Sequence, residues 1–285
     1  AVLSTAGAWV NTASADGSFV GAPLPSVRRS ADGSSTRAID GGDITIQIDE
    51  REFETRLERG AVLDVGGGAS IDSRRRISGG SGGTLALATG SADPRPDWLQ
   101  ADLRGYALAS GGELELKLAG AVIGDGAWPS DSTATRLVPS LFSDAGFSKV
   151  TVESVGGIDI LAGSALNVLQ RNWVVIPGAA AALLPTGGEL ASIASVQTLP
   201  LSQRQAASLV LNAVSGGAQG EASFHLHAGA AIVTDPRGEV SLSAVDGLQI
   251  DGSITAPGGS ITATLRGPAD LSASDLRLGE QAELS

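Results

Sequence analysis

The sequence predicts an all-β chain built as a β-solenoid with irregular loop insertions, and three observations carry that expectation. Arg237 to Leu265 states a short pattern and repeats it: Gly238-Glu239-Val240-Ser241-Leu242 returns as Gly259-Ser260-Ile261-Thr262-Ala263. Between the two copies, Leu248 to Ala256 alternates apolar and polar residues, a period of two that buries one face of a strand and wets the other. The breaks are single glycines or Pro-Gly-Gly, too short to hold a helix, so strand follows short strand at a repeat length typical of stacked coils. Composition agrees: 39 glycines, no methionine, 4% aromatics, and apolar positions filled by Val, Ile, Leu and Ala, which suit a thin, regular core.

A chain of 285 residues with 42% hydrophobic content can bury a substantial core as one or two domains. No composition shift divides it, so residues 1–285 are expected to form one shaft. A net charge of −12 argues against a nucleic-acid surface, which needs clustered Lys and Arg, and the one basic run, Arg74-Arg75-Arg76, stands alone. No stretch reaches the ~18 consecutive apolar residues of a membrane-spanning helix. The opening residues have neither the basic start nor the apolar segment of a signal peptide, and with no methionine anywhere the chain is expected to be a mature or internal piece of a longer one. The absence of cysteine excludes thiol chemistry and fits a chain exported unfolded.

In chain order, Ala8-Trp9-Val10-Asn11 is a short apolar stub, followed by a Pro-, Ser- and Gly-rich excursion from about 20 to 40. Gly42 to Ile48 gives the first clear copy of the pattern, and Arg51 to Arg59 is expected to be an exposed strand pair or loop. Val62 to Val65, Ala69 to Asp72 and Gly83 to Leu87 follow. The interval from Gly42 to Gly83 is close to twice that from Gly238 to Gly259, which reads as two steps with a blurred middle member. A Pro-rich loop near 91–98 stretches the next step, from Gly83 to Gly112, and a second Gly-, Pro- and Ser-rich loop occupies 124–140. Phe142 to Val152, Gly157 to Ile160, Gly163 to Leu166 and Asn172 to Ile176 continue the strands. Thr186 to Ser195 and Ser202 to Val214 are least patterned, and Ser202 is placed to cap a short helix. Alternation is clean again from Glu221 to Leu265, and Leu276 to Gly279 starts one more strand. Coils of ~20 to 25 residues at the ~4.8 Å strand spacing give roughly 11 to 14 coils over about 55 to 65 Å.

Several segments resemble the large secreted exoproteins of the filamentous haemagglutinin type, the adhesins of bacterial two-partner secretion. They are GLQIDGSITAPGGSITATL (247–265), PSLFSDAGFSKVTVESVGGIDILAGSAL (139–166), QADLRGYALASGGELELKL (100–118) and AGAWVN (6–11). The resemblance runs over most of the chain, and the Phe-Ser-Asp-Ala-Gly-Phe element is its most distinctive part. It implies a right-handed parallel β-helix shaft, exported through an outer-membrane two-partner secretion transporter and displayed on the cell surface or released as a long fibre. The closing GEQAELS could run directly into another AGAWVN element, which would make the chain about one cycle of a longer tandem array.

The residue types that carry chemistry are few. His225 and His227, the only histidines, share one strand face through their i, i+2 spacing and would hold a metal if a third ligand came from a neighbouring coil. The plainer reading is a solvent-facing polar row, because the sequence indicates no third ligand. Gly66-Gly67-Gly68-Ala69-Ser70-Ile71-Asp72 is faintly like the calcium-binding glycine-aspartate repeats of toxin β-rolls, but it occurs once and lacks their Asp spacing. Asp246 with Asp251, or Asp43 with Asp49, could supply paired carboxylates for sugar cleavage, although aspartate at turns has ordinary backbone reasons. There is no Gly-x-Ser-x-Gly elbow. Trp9, Trp98, Trp128 and Trp173 lie by loops or strand ends, placed either to cap the core or to stack on a partner, and Trp98 and Trp128 are the partner-binding candidates.

These readings lead to two function classes. The first is a non-catalytic, adhesive shaft with no cofactor, attaching to a host-cell or bacterial-surface receptor or polysaccharide through its loops, with self-association into fibres as a further outcome. The second is a carbohydrate-active β-helix enzyme, a polysaccharide lyase or glycosidase.

Overall fold

The computed structural model describes residues 1–13, 39–47, 56–89, 97–126, 134–214, 222–267 and 275–285. It is an all-β parallel β-helix. The first face is a sheet of seven parallel strands: Ile44–Gln47, Thr84–Ala88, Glu113–Leu118, Lys149–Ser154, Ser208–Ala213, Glu239–Ala244 and Ser260–Leu265. The second face stacks Thr135–Leu137, Ala121–Ile123, Ile158–Ile160, Ser223–Leu226, Gly247–Ile250 and Asp275–Leu278. The third stacks Ala165–Val168, Ala231–Thr234, Ser253–Thr255 and Glu283–Leu284. Nearer the amino end, Val2–Ser4, Val62–Asp64 and Asp102–Arg104 form a further parallel sheet.

The reason these residues form this fold is the alternation. On the first face Leu85, Leu114, Val150, Leu209 and Val240 pair rung to rung, and so do Leu87, Leu116, Val152, Leu211 and Leu242. All ten are at most 2% exposed, whereas the residues between them, such as Glu113, Glu115 and Lys149, point outward. The second face adds Ile158, Phe224 and Leu248, and the third adds Leu166, Ile232 and Ile254. Each such side chain removed from water stabilises the stack by about 1.5 to 3 kcal/mol, before the entropy of ordering the chain is counted.

The short repeat that leads from Gly238 to Gly259 is one coil, because Glu239 pairs with Ser260 and Ala244 with Leu265. The longer interval from Gly42 to Gly83 is also one coil. Ile44 pairs directly with Leu85, so no blurred copy lies between them, and the extra length is an insertion rather than a second turn. The successive rungs Leu114, Val150, Leu209 and Val240 are unevenly spaced along the chain, each step longer than the one from Val240 to Ile261, so most coils carry insertions. Among the described residues the first face therefore has seven layers, about 29 Å at the usual strand spacing, in place of the 11 to 14 expected. A uniform coil of ~20 to 25 residues overestimated the stack because most coils are longer than that. Ala69–Ile71 stacks in parallel on Trp9–Asn11 and is paired on its other side by the antiparallel strand Ile77–Gly79.

The longest insertion follows Ala165–Val168. Arg171–Val175 and Ala194–Thr198 pair as an antiparallel hairpin, with one-turn 3-10 helices at Ala181–Leu183 and Leu190–Ser192 between them. This arm reaches the amino-terminal stub. The Trp9 indole donates to the Leu184 carbonyl at 3.0 Å, and the Asn11 amide group donates to the carbonyls of Ala182 and Leu184 at 3.0 and 2.7 Å. Trp9, Ala69, Ile71, Ala181 and Ile193 make a small second core there. Ser202 starts no helix: it lies in a turn, and the strand Ser208–Ala213 that follows is a buried member of the first face.

The Phe-Ser-Asp-Ala-Gly-Phe element forms a local unit at a corner. Leu141–Asp144 is a single helical turn, Phe142 and Phe147 are buried, and Gly146 between them has φ +79°. A Cβ there would lie 2.3 Å from Tyr106 Cδ1. Gly146→Ala is therefore expected to cost about 2 to 4 kcal/mol, from the left-handed backbone and the ring clash together. Gly163→Ala is the control: its φ is +75° with nothing within 4 Å of a new Cβ, so it should lose only the backbone part, about 1 kcal/mol, in parallel urea titrations.

Candidate functional site

The most concentrated polar chemistry among the described residues sits on the outer surface of the second face. Alternation puts Ile158 and Ile160 inward and Asp159 outward, and the next layer does the same with Phe224, His225 and Leu226. Register then sets Asp159 beside His225, His225 beside Gln249, and Gln249 beside Arg277. His227 and Asp251 extend the pattern just beyond the ends of their strands.

Two crossed pairs result. His227 Nε2 lies 3.2 Å from Asp159 Oδ1, and His225 Nε2 lies 2.9 Å from Asp251 Oδ2. The two imidazoles stack with centroids 3.6 Å apart and planes 29° apart. Gln249 Nε2 donates to the same Asp251 Oδ2. These contacts hold the Asp251 carboxyl below its usual range, chiefly through the hydrogen bond from His225 and then through that from Gln249. All four side chains are part-exposed, from 21% for Asp251 to 50% for Asp159, so solvent and ions reach them. Asp159, His225, Asp246, Gln249, Asp275 and Arg277 line a shallow groove of about 470 Å³ on this face.

The histidine pair was legible in the sequence; the carboxylates that lie beside it were not, since the sequence by itself indicated no third group near the two histidines. Asp159 stands far ahead of His225 in the chain, with the arm between them, and only the ladder register joins them. The available signal was the matching triplets Ile158-Asp159-Ile160 and Phe224-His225-Leu226.

The other candidates fall apart as sites. Asp246 Oδ2 accepts the Ala222 N–H at 2.6 Å and Asp251 is engaged by His225 and Gln249, so each aspartate of that proposed pair has separate partners. Asp43 Oδ1 accepts the Thr84 N–H, a bond between layers, while Asp49 lies outside the described residues. In the triple glycine, a Cβ on Gly68 would lie 2.2 Å from the Ala8 carbonyl oxygen, so this glycine permits close backbone packing. Asp72 accepts from the backbone N–H groups of Arg74 and Arg76 and pairs with the Arg76 side chain at 3.0 Å, as a turn aspartate does.

Trp98, expected to be available to a partner, is corrected to a core residue. It is 3% exposed and donates its indole N–H to Thr135 Oγ1 at 3.0 Å, because the second-face strand Thr135–Leu137 covers it. Trp9 is likewise buried, and Trp173 packs edge-on to Tyr106 with centroids 6.2 Å apart. Trp128 lies outside the described residues, as do most of the loops near 20–40 and 91–98 and the middle of 124–140.

The chain matches no family model, no curated protein and no solved structure. Within the described residues, no helix is long and apolar enough to cross a membrane.

Proposed function

We propose that the chain is a non-catalytic, adhesive shaft segment of a large secreted bacterial exoprotein of the filamentous haemagglutinin type. It leaves the cell through an outer-membrane two-partner secretion transporter and acts at the cell surface or after release. The observation that supports this best is the seven-layer apolar ladder, polar outside, with insertions leaving at its corners. Such a stack is a spacer whose stability grows with each neighbouring layer, and its loops are free to vary and to carry recognition of a receptor or polysaccharide. A parallel stack also fits export as an extended chain, since each coil folds onto the layer already formed.

The experiment is genetic and biochemical. Deleting the transporter should trap the parent chain inside the outer membrane, and deleting this segment in frame should lower attachment to host cells or polysaccharide-coated surfaces severalfold. Unchanged attachment by the segment deletion overturns the adhesive reading. The groove on the second face, with its carboxylates, histidine and Arg277, is the feature that favours a carbohydrate-active enzyme instead. Polysaccharide cleavage by the purified chain that is lost in Asp246→Asn/Asp251→Asn would establish that alternative.

A further inference from the structure

We propose that Asp159, His225 and His227 form a site for one divalent transition-metal ion of the zinc class on the outer surface of the second face. Ligand atoms of the three side chains all lie within 4.8 Å of one another. A tetrahedral ion with bonds of about 2.0 to 2.2 Å holds its ligands about 3.4 Å apart, so the set must contract and the two stacked imidazoles must turn their ring edges towards one point to hold it. His227 Nε2 and Asp159 Oδ1, at 3.2 Å, are already near that separation.

Several features separate this cluster from an ordinary polar row. The donor set is two imidazoles and one carboxylate, which leaves a fourth position for water, as in open zinc sites. Imidazole nitrogen favours zinc, cobalt, nickel and copper over calcium and magnesium, which take oxygen shells. The supporting groups are also present. If His225 keeps its Nε2 bond to Asp251, the ligand atom left to it is Nδ1, and Asp251 would act as the outer carboxylate that fixes the tautomer. Gln249 holds Asp251 in turn. The ligand-bearing backbone is strand or strand end in a fixed register, which positions side chains more reproducibly than a free loop does. Asp246 and Asp275 in the same groove add negative potential for a cation, which Arg277 there partly offsets.

Bound there, the ion ties together two layers directly and a third through Asp251, across the arm that separates Asp159 from the histidines in sequence. The site deepens no part of the adhesive reading and stands or falls independently of it.

The test uses the full 285-residue chain without a histidine tag, metal-stripped, and Zn²⁺ alone as titrant in calorimetry at about pH 7.5, with Co²⁺ absorption as a geometric probe. One Zn²⁺ per chain is expected, with a rise in thermal midpoint and no heat from Ca²⁺ or Mg²⁺ at equal concentration. His225→Gln, His227→Gln and Asp159→Asn should each weaken binding about 10- to 100-fold and abolish the tetrahedral Co²⁺ spectrum, and Asp251→Asn about 10-fold. All four side chains face outward, so the metal-free variants should keep the wild-type circular dichroism spectrum. Undiminished one-equivalent binding in a His225→Gln/His227→Gln double variant, or no binding by the wild type, overturns the site.

Discussion

Replacing Arg204 by leucine is expected to destabilise the protein by about 3 to 5 kcal/mol at neutral pH, because it strands a buried carboxylate. Arg204 follows the turn that returns the arm to the first face, and its guanidinium pairs with Asp235, whose side chain is 4% exposed. Arg204 Nε also donates to the Leu199 carbonyl at 2.8 Å, so a single side chain fastens the end of the arm to the corner after Ala231–Thr234. Burial pushes the Asp235 carboxyl above its usual range, and the Arg204 charge opposes that push. A carboxyl raised in the folded state contributes stability below its unfolded pKa, and that contribution is lost as pH rises through the folded value. Removing the guanidinium removes the opposing influence, so the folded value rises further.

The deficit of Arg204→Leu should accordingly be largest near pH 7 and shrink towards about pH 4, where the carboxyl is increasingly protonated in both states. Urea titrations at the two pH values check this, and Arg204→Leu/Asp235→Asn should recover much of the loss. A deficit that is equal at both pH values would show that the charge pair is not what holds the arm.

Leu211→Ala should cost about 2 to 5 kcal/mol, the usual range for a leucine cut from a core that cannot collapse. Leu211 is fully buried and sits between Val152 of the preceding layer and Leu242 of the following one. In a globular core the neighbours of a cavity can shift towards it from many directions. Here the backbones above and below are fixed by ladder hydrogen bonds, so the void persists and two interfaces are weakened at once. A fall in urea midpoint with an unchanged slope is the expected signature. A loss below about 1 kcal/mol would mean that the layers slide to refill the gap.

The fold class was legible because alternation is local: Val240, Leu242, Leu248, Ile250 and Ile254 announce their inward face within a single coil. Pairing is not local. Nothing in Gly42 to Gly83 distinguishes one long coil from two short ones, since Ala69–Ile71, which stacks on Trp9–Asn11 and not in the first face, alternates as the first-face rungs do. The same limit governed the site. His225 and His227 declare a shared face through their own spacing, whereas Asp159 joins them only through register across the arm. Trp98 shows the reverse error. A tryptophan beside a Pro-rich loop has the local marks of an exposed residue, yet the strand Thr135–Leu137 folds back from a later segment to cover it.

The arm has a consequence for the order in which the chain can mature. Trp9 and Asn11 find their partners 175 residues later, at Leu184 and Thr186. A chain that emerges from its amino end first must therefore hold its opening layers with an unfinished flank until the arm arrives. Until then the Trp9 indole and the Asn11 amide lack the carbonyls that they bond in the finished fold. The arm also meets the coil at Ala107, whose carbonyl accepts the Trp173 N–H, so one insertion fastens the layer of Trp9 to a later part of the stack.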